Sequence, residues 1–190
     1  TSTGVAVGIG QNTLRVLGDF RRNGYLEALP LGSKNDGNGA LMRLAPIACF
    51  AYKDVGVASL MAGEQSRATH ASQTSEQSCQ LLAELLCLLI RGQSISHALE
   101  VVSNRGWGRR VSSIFERKFT DQRETDVKAS GYVIETLHAA LWSVMNTNNF
   151  QQAVLKAVNL GDDADTTAAV AGQIVGAMYG YSAVPKHLKA

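Results

Sequence analysis

The sequence is poor in the features that mark several classes of protein. Three prolines and three cysteines occur in 190 residues, and aromatic side chains make up 6% of the chain. No apolar run reaches the roughly 20 residues that a membrane-spanning helix needs, and no basic and apolar leader opens the chain. We therefore expect no membrane as a partner. Because the chain opens at Thr1 rather than at Met, we also expect that a further segment preceded it.

Strong charge of one sign is also missing. The net charge is +2, from 18 basic and 16 acidic side chains, which is too small a surplus to attract nucleic acid or an anionic membrane. Cys49, Cys79 and Cys87 lie in apolar stretches without Cys-x-x-Cys spacing, and this predicts reduced core residues of a cytoplasmic protein. We therefore expect a ligand to be held by local chemistry, and we do not expect nucleic acid as a partner.

Helical periodicity recurs along the chain, whereas alternating β-branched runs are scarce. We predict helices over residues 12–22, 55–67, 75–91, 96–102, 133–144, 150–158 and about 165–181, with the leucine-rich helix at 75–91 in the centre. Residues 103–128 show no stable period and predict an exposed connection. A chain of 190 residues that is 45% hydrophobic suffices for one core. The sequence thus predicts an all-α fold and a single domain over residues 1–190.

The sharpest chemical feature is an acidic turn that leads into the last helix. Asp162, Asp163 and Asp165 place three carboxylates within four positions, and Thr166 adds a hydroxyl. Residues i and i+2 of a regular helix diverge by about 200°, so Asp163 and Asp165 converge only if a turn, eased by Gly161, precedes the helix. Such hard oxygens are the ligands that Mg²⁺ or Mn²⁺ prefers. The residues alone equally allow Asp163 or Asp165 to be a helix N-cap.

A second feature is the segment KNDGNGALMR, residues 34–43, which we call the glycine loop. We expect this loop to open a helix in the apolar segment 39–50, whose backbone N–H groups at its positive end would cradle a phosphate. A plain loop is the alternative, because the pattern matches neither the Walker loop nor the Rossmann fingerprint. Further along the chain, His70 could bond a phosphate or a ribose hydroxyl, or it could be structural.

Four segments together resemble the ADP-ribosylglycohydrolase family, the group that includes the dinitrogenase-reductase activating glycohydrolase and the ADP-ribosyl-acceptor hydrolases. They are GNGALMR at 37–43, ATHAS at 68–72, SGYV at 130–133 with the apolar stretch that follows it, and GDDADTT at 161–167. Each segment is weak evidence by itself, but the four occur in the order found in the family. The resemblance favours the metal interpretation of the acidic turn over the capping one.

The resemblance implies an orthogonal multi-helix bundle whose cleft holds two Mg²⁺ ions, with Mn²⁺ as a possible substitute. Its metal ligands in this chain would be Asp163, Asp165 and Thr166. The implied substrate is an ADP-ribosylated side chain, with arginine in a protein as the expected acceptor, and Tyr132 would flank its adenosine or the mouth of the cleft. The residues that would line its pyrophosphate and ribose are Asn35, Asp36, Gly37, Asn38, Gly39 and His70.

This chain departs from the family pattern at two places. The family's first metal motif, a Thr-Asp-Asp triple with an earlier glutamate, has no counterpart, since Thr120-Asp121 and Thr125-Asp126 lack the second Asp. Gly8 stands where some members carry an Asp. We therefore expect the N-terminal part of the family fold, with the general acid or base, to be missing or supplied by a separate segment. The alternative to a hydrolase is a non-catalytic relative that binds ADP-ribose or is only structural.

Overall fold

The computed structural model describes residues 9–116 and 118–189. Within these residues the chain forms helices and turns, and the only β feature is an isolated bridge between Gly37 and Tyr132. The helices are α1 (Gln11–Asn23), α2 (Ala45–Ala51), α3 (Val55–Arg67), α4 (Gln73–Ile90), α5 (Ile95–Ser103), α6 (Arg109–Ser112), α7 (Val133–Met145), α8 (Phe150–Asn159) and α9 (Ala164–Tyr179). The expectations for Thr1 and Gly8 lie outside the described residues.

Several helices begin where a polar side chain can cap them. Asp54 accepts a hydrogen bond from the Val57 N–H, and Ser72 accepts one from the Ser75 N–H. These bonds satisfy N–H groups that have no partner within the first turn of a helix, and they set the starts of α3 and α4. The predicted all-α class is confirmed, and α3 has the bounds that its sequence predicts.

Helix α4 lies at the centre of the bundle, as its leucine content predicts. It packs against α2, α3, α5, α7 and α9, and Leu81, Leu82 and Leu85 are completely buried. Each such leucine stabilises the fold by about 1.5–3 kcal/mol. Helices α7, α8 and α9 also pack against one another, so α7 and α9 are each held by α4 and by two neighbouring helices. Among the helices that the structure describes, none has both the length and the hydropathy that crossing a bilayer requires.

Two predictions about exposure are wrong. The stretch 103–128 is not simply an exposed connection, because Val111 in α6 and Ile114 just after it are each 1% exposed and join the core. Two apolar residues three positions apart are too short a pattern to show a period. Cys49 is exposed on α2, whereas Cys79 and Cys87 are buried and only these two belong to the core. All three cysteines are free, as predicted.

Helix α1 forms as predicted, but apart from the buried Val16 it leaves its large apolar side chains in contact with solvent. Leu14, Leu17 and Phe20 are 45%, 54% and 51% exposed. The contact that fastens α1 to the candidate site is polar instead, because Arg15 Nη2 donates to Asn35 Oδ1 at 2.8 Å. Helix α1 therefore contributes little apolar burial to the described core.

Candidate functional site

The acidic turn predicted ahead of the last helix is present. Gly161 and Asp162 adopt left-handed backbone conformations, with φ of +73° and +53°, and α9 begins at Ala164. Glycine adopts this conformation without strain, and aspartate tolerates it better than most residues. Asp163 therefore lies at the N-cap position and Asp165 in the first turn, so the two do not share a regular helix.

The side chain of Asp163 does not cap α9. No N–H group of the first turn, which lies wholly within the described residues, donates to its carboxylate. The backbone of Asp163 is held from both sides, because its N–H donates to the Ala129 carbonyl and its carbonyl accepts from the Thr167 N–H, each at 3.0 Å. The half-buried carboxylate is thus left for other partners, and the capping alternative does not describe it.

Asn38 connects the glycine loop to the acidic turn. Its Nδ2 donates to Asp163 Oδ2 at 2.6 Å and to Thr136 Oγ1 at 2.8 Å. Its backbone N–H donates to the Gly131 carbonyl at 3.1 Å. Three segments that are far apart in the sequence therefore meet at Asn38.

Asp165 and Thr166 lie next to Asp163 at the start of α9. Asp165 is exposed, whereas Thr166 is buried and its Oγ1 donates to the Met42 sulfur at 3.8 Å. Two carboxylates and a hydroxyl form a donor set of hard oxygens that fits Mg²⁺ or Mn²⁺. In the described part of the chain, no group of three His, Cys, Asp or Glu side chains is placed to hold a metal. Asp163, Asp165 and Thr166 therefore do not form a complete metal site by themselves, and their role as metal ligands stays a prediction.

The glycine loop does not open a helix. Residues 39–43 form turns, the Met42 N–H turns back to the Asn38 carbonyl at 3.2 Å, and α2 begins only at Ala45. Pro46 favours this later start, since proline suits the first turn of a helix. The expectation of a phosphate cradle at the positive end of a helix is therefore wrong for this loop.

His70 packs directly against the glycine loop. It is 4% exposed, and its Nδ1 lies 2.7 Å from Thr69 Oγ1. A Cβ atom on Gly39 would lie 2.9 Å from His70 Cε1, and one on Gly37 would lie 3.1 Å from His70 Nε2. The loop can lie this close to the ring because both positions lack a side chain.

His70 is uncharged at neutral pH. Burial is the main cause, and the positive charges of Arg43 and Arg15 add to it, so that the pKa of His70 falls from 6.5 to about 4. Arg43 also braces the glycine loop, because it donates from Nη1 to the Gly39 carbonyl at 3.1 Å and from Nη2 to Thr69 Oγ1 at 2.7 Å. The neutral ring therefore packs against the glycine loop without adding a charge to it.

Asn35 and Asp36 occupy different places in the loop. Asn35 is completely buried, where its Oδ1 accepts from Arg15 Nη2 at 2.8 Å and its Nδ2 donates to the Leu29 carbonyl at 2.7 Å. Asp36 is 4% exposed, and its Oδ2 accepts from Arg110 Nη1 at 2.8 Å. Asn35 therefore stabilises the loop from inside, whereas Asp36 lies at the edge of a cavity.

The cavity beside Asp36 has a volume of about 540 Å³. This is within the roughly 300–1,000 Å³ that small-molecule sites occupy. Its walls come from Asp36 and the residues just before the glycine loop, from the start of α4, and from the start of α6, where Arg109 and Arg110 supply positive charge. Asp36 is two residues from Asn38, so their Cα atoms are at most about 7 Å apart. The cavity and the acidic turn thus adjoin the same short piece of loop.

Tyr132 lies between the glycine loop and a second, smaller cavity. It pairs with Gly37 in the isolated bridge, and it lines a cavity of about 230 Å³ together with Arg110 and Glu135. Burial raises the pKa of Tyr132, and the Asp36 carboxylate adds to this effect. Tyr132 is therefore brought beside the candidate site, and its contact with an adenosine stays a prediction.

Two further residues of the site, Thr136 and Arg110, are not among those that the sequence predicts. Thr136 is completely buried, and its Oγ1 donates to the Ser130 carbonyl at 2.8 Å while it accepts from Asn38. In the sequence, the only indication of this role is that Thr136 stands as a lone threonine in the apolar stretch of α7. Arg110 stands in a stretch of mixed charge where no pattern separates it from its neighbours.

Comparisons with known proteins find similar sequences along almost the whole chain. A family model described as ADP-ribosylglycohydrolase matches residues 2–190. A protein of Serratia proteamaculans named ADP-ribosylarginine hydrolase Tri1 is 39% identical over 186 residues, which are 98% of this chain and 50% of that protein. The ADP-ribosyl-dinitrogen reductase glycohydrolase of Rhodospirillum rubrum is 28% identical over 179 residues, which are 94% of this chain and 58% of that protein.

A solved structure is similar to this chain in both fold and sequence. It is described as an ADP-ribosylglycohydrolase-related protein complex, and it superimposes with a TM-score of 0.80 at 34% identity, covering 93% of this chain and 61% of that one. The chain thus spans about half the length of the curated relatives that it matches.

Proposed function

The chain belongs to the ADP-ribosylglycohydrolase family, and we propose that the protein hydrolyses the glycosidic bond between ADP-ribose and a modified side chain of a protein. We take arginine as the acceptor, because the relatives of 39% and 37% identity are named ADP-ribosylarginine hydrolases. The observation that carries the proposal is the hydrogen bond between Asn38 and Asp163. It joins a loop beside a ligand-sized cavity to a turn of hard oxygen donors.

ADP-ribose would bind along the glycine loop. Its pyrophosphate carries negative charge, and Arg109 and Arg110 at the cavity supply the opposite charge. The Asp36 carboxylate can accept a hydrogen bond from a sugar hydroxyl, and Arg110 offsets its charge. Gly37 and Gly39 let the loop lie close to the His70 ring, because a Cβ atom at either position would crowd that ring.

The acidic turn would hold the ribose end of the substrate through divalent cations. Asp163, Asp165 and Thr166 would supply oxygens to a binuclear magnesium centre, whose other ligands we expect from the N-terminal part of the family fold. When bound, Mg²⁺ or Mn²⁺ in such a site polarises hydroxyl groups and lowers the pKa of a water molecule. The positive end of the α9 dipole also favours the negative charge that the two aspartates bring to this turn.

The chain's own residues would then orient the substrate rather than move protons. The loop would position the ADP moiety. Asp163, whose backbone is held by hydrogen bonds on both sides, would present its carboxylate toward the ribose. None of the described residues is assigned as the general acid or base, which we expect from the N-terminal part of the fold. The cytoplasmic location stays a prediction.

The direct test is to incubate the full-length protein with arginine-ADP-ribosylated protein and Mg²⁺, and to measure free ADP-ribose by chromatography. We expect release that EDTA abolishes. We expect D163N and D165N to lower kcat/KM by more than about 100-fold, beyond the 10–100-fold that is typical of residues that only support a metal ligand. D162N is the matched control, because Asn also tolerates the left-handed backbone at this position.

The proposal is wrong if no ADP-ribose is released from the modified protein or from small ADP-ribosylated compounds. Calorimetry then separates the remaining possibilities. Binding of ADP-ribose without turnover would identify a non-catalytic relative that keeps the cleft, whereas the absence of both would leave a structural role.

A further inference from the structure

Asn38 holds the Asp163 carboxylate through a short chain of hydrogen bonds. The chain runs from Asp163 Oδ2 to Asn38 Nδ2 at 2.6 Å, from Asn38 Nδ2 to Thr136 Oγ1 at 2.8 Å, and from Thr136 Oγ1 to the Ser130 carbonyl at 2.8 Å. Asn38 is 8% exposed and Thr136 is completely buried. The bond between Asn38 and Thr136 is therefore shielded from competition by water, whereas the Asp163 end of the chain of bonds is half-buried.

The direction of these bonds is fixed by the Thr136 hydroxyl. A hydroxyl has a single proton, and that of Thr136 faces two backbone carbonyls, of Ser130 at 2.8 Å and of Tyr132 at 3.3 Å, neither of which can donate in return. Its lone pairs must therefore face the Asn38 side chain, which has to present Nδ2 rather than Oδ1 to them. The second proton of Nδ2 then points at Asp163 Oδ2. Both amide protons of Asn38 are used within the protein, so they do not serve to bind a substrate.

Asp163 differs from the Asp, Ser and Asn residues at the N-cap positions of other helices. Asp54, Ser72, Ser94 and Asn149 all accept a hydrogen bond from the first turn of the helix that follows them. Asp163 occupies the same position at α9, but its carboxylate turns to Asn38 instead. A capped Asp163 would direct its oxygens at the helix. The bond to Asn38 prevents this and engages only one of the two carboxylate oxygens.

We propose that Asn38, itself held by Thr136, is a positioning residue that keeps the free carboxylate oxygen of Asp163 available for a divalent cation. The inference rests on the proposed function, and it assigns to Asn38 a role apart from contact with the substrate. It also gives Thr136 a role, although Thr136 touches neither the cation nor the substrate. Loss of either group lets the Asp163 side chain rotate toward the helix start.

The test is cation affinity, measured on the full-length protein by titration with Mn²⁺ and detection of free Mn²⁺ by electron paramagnetic resonance. We expect N38A to bind Mn²⁺ 10–100-fold more weakly than the wild type, the range observed when a group that orients a metal ligand is removed. T136V should also weaken binding, because it keeps the shape of the side chain but loses the hydroxyl. T136S keeps the hydroxyl and should restore most of the affinity.

S143A is the matched control, because Ser143 is also completely buried on α7 and its hydroxyl donates to the Ala139 carbonyl at 2.8 Å. It should leave the Mn²⁺ affinity unchanged. Thermal unfolding of every variant is measured in parallel. If N38A is poorly folded, the difference in Mn²⁺ affinity between T136V and T136S still tests whether the hydroxyl positions Asp163 through Asn38.

Two results would overturn the inference, and they have different meanings. If the wild type binds Mn²⁺ while N38A and T136V bind it equally well, Asn38 does not position Asp163, although the proposed function survives. If the wild type binds no Mn²⁺, the cation site of the proposed function is itself wrong, and the role of Asn38 falls with it.

Discussion

The contact between Gly39 and His70 leads to a prediction about a single added methyl group. In G39A the new Cβ would lie 2.9 Å from Cε1 of the His70 ring and 3.3 Å from its Nε2. The ring cannot easily withdraw, because it is 4% exposed and Thr69 bonds to its Nδ1 at 2.7 Å. The loop must therefore move, and Arg43 resists that movement through its bond to the Gly39 carbonyl.

The expected cost follows from what overpacking does in well-packed interiors. Insertion of an extra methyl group there costs about 1–3 kcal/mol. For a domain of this size, each kcal/mol lowers Tm by about 2–4 °C, so we expect G39A to melt about 2–12 °C lower. G106A is the matched control, because a Cβ on Gly106 meets nothing within 4 Å. A replacement without a clash restricts the unfolded chain and should stabilise by about 0.4–1 kcal/mol.

Chemical denaturation of both variants, repeated in an H70A background, tests the cause of the effect. Removal of the ring should relieve most of the cost of G39A, because the atoms that the methyl group meets are then gone. The reasoning is refuted if G39A is as stable as G106A, or if its cost is the same with and without the His70 ring.

Two further predictions concern other groups of the described chain. His70 has a pKa of about 4 in the folded protein and about 6.5 when unfolded, so the unfolded state binds a proton more readily. The contribution of the neutral His70 to stability is therefore present above pH 6.5 and is lost as the pH falls toward 4. H70Q should therefore show a shallower loss of unfolding free energy over that window than the wild type, and equal slopes would contradict the assignment. Cys49 is exposed, whereas burial raises the pKa of Cys79 to about 12 and that of Cys87 to about 11. Iodoacetamide should therefore modify only Cys49 rapidly in the native protein, and all three thiols after denaturation. Rapid modification of a second thiol, detected by mass spectrometry, would show that the core around Cys79 and Cys87 is open.

The local parts of the fold could be predicted because they depend on neighbours in the sequence. The Asp54 cap and the composition that follows it define α3, and the leucines of α4 mark it as central. Gly161 likewise predicts the turn into α9 because glycine accepts its left-handed backbone. The later start of α2, at Ala45, was missed although Pro46 marks it.

The parts that could not be predicted are contacts between distant segments. The bond from Asn38 to Asp163 spans 125 positions, and no periodicity or spacing encodes it. The packing of His70 against Gly39 is a similar case, because a lone histidine has no pattern of its own. The exposure of Cys49 was also missed, since a short apolar helix does not reveal which of its faces meets the core.

The central claim is that Asp163, Asp165 and Thr166 turn their oxygens to one divalent cation beside the glycine loop. The most direct measurement is a crystal structure of the full-length protein grown with Mn²⁺, with data collected near the manganese absorption edge. We predict an anomalous peak at roughly 2.0–2.2 Å from a carboxylate oxygen of Asp163 and one of Asp165, with Asn38 still bonded to the other oxygen of Asp163. A structure in which the manganese lies elsewhere, or in which these two carboxylates point apart around empty density, would contradict the account.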